Sequence, residues 1–148
     1  MLVFLAQGQK RIFLGDKSFV LDPSNYLLIS VPLPVECEVL ASPDQPTLGL
    51  SVSLTPEAIA QILQASEEDQ ITADNVPAGI HTAKMTDAMT DTFLRLLQAM
   101  ASHRDSRVLA PMILKEIIYR AAYGENGESL RAMAHRNRRF YMIDRKSV

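Results

Sequence analysis

The sequence predicts an α+β protein, with a small antiparallel barrel or sandwich first and helices after it. Three observations lead there. Up to Leu54 the chain is cut into short β-branched and aromatic runs by Gly, Pro, Asn and Asp. From Thr55 onward the apolar spacing changes to that of a helix. The chain has 148 residues, of which 47% are hydrophobic and 22% charged, which suits a single globular domain that buries its own core. We therefore divide residues 1–148 into a β part (1–54), a helical part (55–130) and a basic end (131–148).

The β part contains six predicted strands. Leu2–Ala6 is followed by Gln7-Gly8-Gln9, and Arg11–Leu14 runs into a Gly15-Asp16 turn from which Ser18–Leu21 returns. Asp22-Pro23-Ser24-Asn25 is a turn cluster, and Tyr26–Val31 is apolar enough to be buried on both faces. Pro32 and Pro34 break the ladder before Val35–Val39, which alternates with period two. After Ser42–Pro46 turns the chain again, Leu48–Leu54 alternates small or polar with apolar.

Thr55-Pro56-Glu57 has the chemistry of a helix start: a hydroxyl cap, proline at the first helical position and an early acid. Ala58, Ile59, Ile62 and Leu63 then share a face. Ser66–Lys84 is polar, contains Pro77 and Gly79, and is predicted as a long loop. A second helix, in Met85–Met100, begins at Thr86-Asp87 and places Met89, Phe93, Leu96, Leu97 and Met100 on one stripe. A third spans Val108–Tyr123, with Pro111 in its first turn and Gly124 as its stop. A last helix begins near Glu128.

Chemistry-bearing constellations are scarce. His81, His103 and His135 fall in separate segments without a second ligand at metal spacing, so each is predicted at the surface and no metal is expected. Cys37 alternates with Glu36 and Glu38 and is predicted to be a buried structural thiol. One cysteine makes neither an internal disulfide nor a cysteine-rich zinc site. No phosphate-binding glycine loop and no nucleophile elbow occurs. No catalytic residue and no cofactor is expected, and the chain is predicted not to be an enzyme. The opening apolar run is six residues long, too short for a signal peptide, and no segment is long enough to span a membrane. A cytoplasmic protein is expected.

The net charge of −2 excludes DNA binding by bulk positive charge, but the charge is unevenly placed. Leu130–Val148 holds six basic residues against one acid, while residues 1–129 hold nine bases and sixteen acids. Any nucleic-acid contact is expected at the C-terminal end or beyond it.

A series of short strings, taken in order, is more specific than any one of them. Gln7-Gly8-Gln9-Lys10 leads to Leu14-Gly15-Asp16 and to Tyr26-Leu-Leu-Ile-Ser-Val-Pro-Leu-Pro34. Ala41-Ser-Pro43, Pro46 and Leu48-Gly-Leu50 follow, then Val108-Leu-Ala-Pro111, Lys115-Glu-Ile-Ile-Tyr-Arg120, Gly124, Gly127 and Leu130-Arg131. The combination resembles the N-terminal domain of AraC-type transcriptional regulators, from about Leu2 to Leu130. The resemblance implies a cupin-like β-barrel or jelly roll that senses a small-molecule effector, followed by helices that dimerise. DNA would be bound only through a C-terminal helix-turn-helix half, for which the stretch after Leu130 is too short, so residues 131–148 would be a basic linker. Only six residues precede the Gln-Gly-x-Lys string, so the barrel is expected to be incomplete, open or closed by another chain. Residues 1–54 contain no histidine, unlike metal-binding cupin enzymes.

Inward strand positions are the natural lining of an effector pocket, and Phe13, Tyr26, Leu28, Ser30, Cys37 and Leu50 are the candidates. A homodimer seam is expected at Met89, Phe93, Leu96 and Met100 with neighbouring Ile113 and Ile117. Two alternatives stay open: a small cupin-like ligand-binding protein or enzyme, and a dimerisation scaffold whose barrel is filled by its own side chains.

Overall fold

The computed structural model of the chain describes residues 1–31, 33–40, 42–65 and 79–134. It divides into two compact units: Met1–Ser53 with Ala78–Met85, and Leu54–Pro77 with Thr86–Val148. Among the described residues, the first is all β and the second is helical.

The β unit contains β1 (Leu2–Gln7), β2 (Gln9–Leu14), β3 (Lys17–Leu21), β4 (Asn25–Ile29), β5 (Glu36–Leu40), β6 (Leu48–Val52) and β7 (Ile80–Lys84). They form one sheet in the order β6-β1-β4-β7 and a second in the order β3-β2-β5. Every pairing between them is antiparallel. All six predicted strands are present. The seventh lies inside the stretch predicted as a long loop, because Ile-His-Thr-Ala-Lys carries a single bulky apolar residue. It forms by pairing with β4, whose free backbone edge it satisfies. The remainder of that loop, residues 66–78, lies outside the described residues.

The chain changes sheet at the Gln-Gly-x-Lys string. Gly8 adopts φ +95°, a conformation strained for residues with a Cβ, and a Cβ there would lie 2.7 Å from Thr47 Oγ1. The return to the first sheet is made by Asp22–Asn25. Asp22 Oδ1 accepts from the Ser24 backbone N–H at 2.8 Å, and Asn25 Nδ2 donates to the Val20 carbonyl at 2.9 Å.

Val3, Leu5, Leu27 and Ile80 from the first sheet pack with Ile12 and Leu21 from the second, bordered by Leu14, Phe19, Ile29, Leu33 and Val35. The opposite face of the first sheet is also buried, at Leu2, Phe4, Tyr26, Leu28, Val52 and Ala83. There Phe4 and Tyr26 stack with ring centroids 5.2 Å apart. This double burial is why the Tyr26–Leu28 run is continuously apolar. The described residues form two antiparallel sheets around one core and no closed barrel.

The helical unit holds α1 (Pro56–Ala65), α2 (Asp87–Met100) and α3 (His103–Ala122), with a further helical stretch at 128–134. The Thr55 hydroxyl accepts from the Ala58 N–H at 3.1 Å, and the Thr86 hydroxyl accepts from the Met89 N–H at 3.1 Å. Both caps were legible in sequence. The third helix starts earlier than expected, because Ser102 accepts from the Asp105 N–H at 3.4 Å and opens it five residues upstream of Val108. Pro111 therefore sits inside α3, not in its first turn. It lies on the exposed side, where water can satisfy the carbonyl it leaves free. Gly127 is held by close approach: a Cβ there would fall 2.3 Å from the Ala122 carbonyl oxygen.

Candidate functional site

Strand register decides which predicted pocket residues share a face. Ile12 pairs with Cys37, and Lys10 pairs with Val39, so these side chains stand on the inner side of the second sheet. Yet Ile12 is only 2% exposed, whereas Val39 is 50% exposed and Cys37 is also exposed. The space between the sheets is closed over β2 and open along β5. The expectation of a buried Cys37 is thus corrected: β5 is an edge strand, and the burial that its alternation suggests is not provided.

The other candidates are dispersed. Phe13 is on the face of β2 opposite Ile12, in register with Ser18 and Glu36. Tyr26 and Leu28 are buried on the far face of the first sheet, and Leu50 joins that face through its pairing with Phe4. Ser30 is buried and donates its backbone N–H to the Gly79 carbonyl at 2.8 Å, with its hydroxyl 3.4 Å from the same oxygen. The six do not form one site. Val39 shares the inner row with Cys37 and was missed, although the Val35-Glu-Cys-Glu-Val39 alternation already grouped them.

His81, expected at the surface, lies on β7 with its Nε2 buried and without a hydrogen-bond partner. His103 is exposed, and His135 lies outside the described residues. Among the described residues, no group of three His, Cys, Asp or Glu is placed to hold a metal ion. No helix there is long and apolar enough to cross a membrane.

In the helical unit the predicted seam divides. Met89, Phe93, Leu96 and Ile117 are at most 4% exposed within the single chain, so they are core. Met100 is 50% exposed and Ile113 half-buried. The stripe spacing was correct for a buried helix face, but spacing alone does not tell whether a face is covered by its own chain or by a second copy. Exposed large apolar side chains lie elsewhere on the hairpin: Leu94, Val108, Leu109, Met112 and Tyr119 are 43–64% exposed. Between α2 and α3 runs a groove of about 480 Å³, walled by Ala99, Leu109, Met112 and Ile113, with Arg95, Gln98, Asp105 and Glu116 as its polar lining.

One carboxylate oxygen bolts the two helices together. Glu116 Oε2 accepts from Arg95 at 2.6 Å, from Arg120 Nε at 3.2 Å and from the hydroxyl of fully buried Thr92. The Thr92 hydroxyl, then the Arg95 and Arg120 guanidiniums, hold the Glu116 carboxyl down at about 2 against the opposing effect of burial.

A family model for the N-terminus of AraC-type transcriptional regulators matches residues 1–129, most of the chain. The chain belongs to this family, and so to the transcription regulators. No curated protein matches it in sequence.

Proposed function

We propose that this chain is the effector-sensing and dimerisation half of an AraC-type regulator, with DNA binding assigned to a separate helix-turn-helix half. Family membership supports the regulatory role. The observation that carries effector sensing is the opening along β5, where Cys37 and Val39 stand on the inner row of the sheet and yet are exposed. An apolar small molecule can gain contact with the interior there without the sheets being parted. The chemistry is binding, with no group transfer. The exposed thiol is a built-in reporter. Compounds that raise the melting temperature should slow modification of Cys37 by a thiol-reactive disulfide several-fold. A stabilising compound that leaves the Cys37 rate unchanged would place the effector elsewhere.

A second reading, a dimerisation scaffold without an effector, is favoured by the way Val3, Leu5, Ile12, Leu21, Leu27 and Ile80 fill the space between the sheets. It predicts that no small molecule raises the melting temperature. Neither reading calls for a metal or a cofactor.

A further inference from the structure

Among the described residues, four strands stand at sheet edges: β6 and β7 in the first sheet, β3 and β5 in the second. β3, β6 and β7 each bury at least one residue, whereas all five residues of β5 are exposed. β2 pairs with one side of β5, from Phe13 opposite Glu36 to Gln9 opposite Leu40. On the other side, alternate residues of an antiparallel strand direct their N–H and C=O groups away from the partner, and no described strand takes them up. The side chains sort by period two, with Cys37 and Val39 on the inner row and Glu36, Glu38 and Leu40 on the outer row. We propose that this edge receives an extended segment of another protein as an added antiparallel strand, one that alternates basic and apolar side chains. Such a partner is additional to any small-molecule effector.

The charges select that occupant. Glu36 and Glu38 make no ion pair among the described residues, although Arg11 stands opposite Glu38 on β2. A second copy of β5 fits poorly, because registers centred on Cys37 or Glu38 set glutamate opposite glutamate. Like charges directly opposite are destabilising, whereas basic side chains in the same places gain. In a five-residue antiparallel strand centred on Glu38, the first, third and fifth residues face Leu40, Glu38 and Glu36. The second and fourth face Val39 and Cys37 and extend the inner row beside Ile12, so the open margin of the core becomes buried surface. Leu40 also lines a cleft of about 770 Å³ with Gln9, Asp22, Ser24, Ser42 and Gln45, in which Asp22 is the charged group. Both hydrogen bonds that Ser24 gives to Asp22 end on Oδ1, which leaves Oδ2 available to the first basic residue of the strand.

Titration of the isotope-labelled 148-residue chain with an end-blocked lysine–valine–lysine–valine–lysine peptide, followed by nuclear magnetic resonance, tests the site. Amide shifts centred on Glu36–Leu40 are expected, and a chain carrying both Glu36→Lys and Glu38→Lys should bind with a Kd raised at least about fivefold. Both positions are exposed, so far-ultraviolet circular dichroism should be unchanged. A glutamate–valine peptide of the same length should not bind. Strand pairing is read by air oxidation, which needs no variant of the chain. A peptide with cysteine in place of its second valine should form a mixed disulfide with Cys37, and one with cysteine in place of its middle lysine should not. No shift in β5 at about 1 mM peptide, or equal binding of the glutamate–valine peptide, overturns the added strand. Equal crosslinking of the two cysteine peptides would mean attraction of charge without strand pairing, and overturns it as well. Concentration-dependent shifts in β5 without peptide would make the occupant a second copy and refute the basic partner. Shielding of Cys37 by a stabilising compound is measured separately, so failure of the peptide to bind leaves effector sensing standing.

Discussion

Glu116 accepts from groups on both helices of the hairpin through a single oxygen, and the consequence is a defined acid sensitivity. Its carboxyl is lowered to about 2, whereas a free glutamate titrates near about 4.3. A depressed carboxylate contributes stability that is complete above the unfolded value and is lost as pH falls through the folded one, here from about 5 down to about 2. Glu116→Gln should lower the melting temperature at pH 7 by a few degrees, corresponding to about 1 kcal/mol for partly exposed ion pairs. It should also flatten the fall in melting temperature between pH 5 and 3. An unchanged acid profile would show that another carboxylate carries it. Phe93 is 4% exposed, so Phe93→Asp should leave an unfolded chain, with helical circular dichroism lost, and not a folded monomer. Gly127→Ala forces a methyl against the Ala121 and Ala122 carbonyls and should cost about 1–3 kcal/mol by chemical denaturation.

At the scale of elements, what the sequence made legible was local chemistry. Thr55 and Thr86 stood before helix starts and cap them in the structure, and Thr86→Ala should cost about 1 kcal/mol in urea unfolding. Short apolar runs bounded by turn residues located β1 to β6, with a period-two signal in β5 and β6 and a continuous one in β1 and β4. β7 was illegible because its reason for being a strand lies in β4, fifty residues away in sequence. The start of α3 was missed for a related reason. Pro111 reads as a first-turn residue, and only the Ser102 cap and the buried Ala110 show that helix precedes it. The candidate pocket residues were dispersed by the same limit. Alternation groups residues by face, but register sends Tyr26 and Leu28 to one side of the first sheet, and Phe13 and Cys37 to opposite sides of the second.

For the whole molecule, the unequal treatment of the β edges matters most. β2 lies in the middle of the smaller sheet and buries Ile12 completely, while its neighbour β5 has no buried residue. Such an edge would be a liability in an isolated sheet. Glu36 and Glu38 alternate along it and discourage strand-on-strand pairing between copies, leaving the inner row free to meet a small molecule. Under the proposed function, a bound effector covers this opening. Hydrogen exchange of the chain, with and without a compound that raises its melting temperature, tests that most directly. Slowed exchange centred on Val35–Leu40 and the facing residues of β2 is the predicted result. Protection confined to the helical unit, or none in β5, would contradict it.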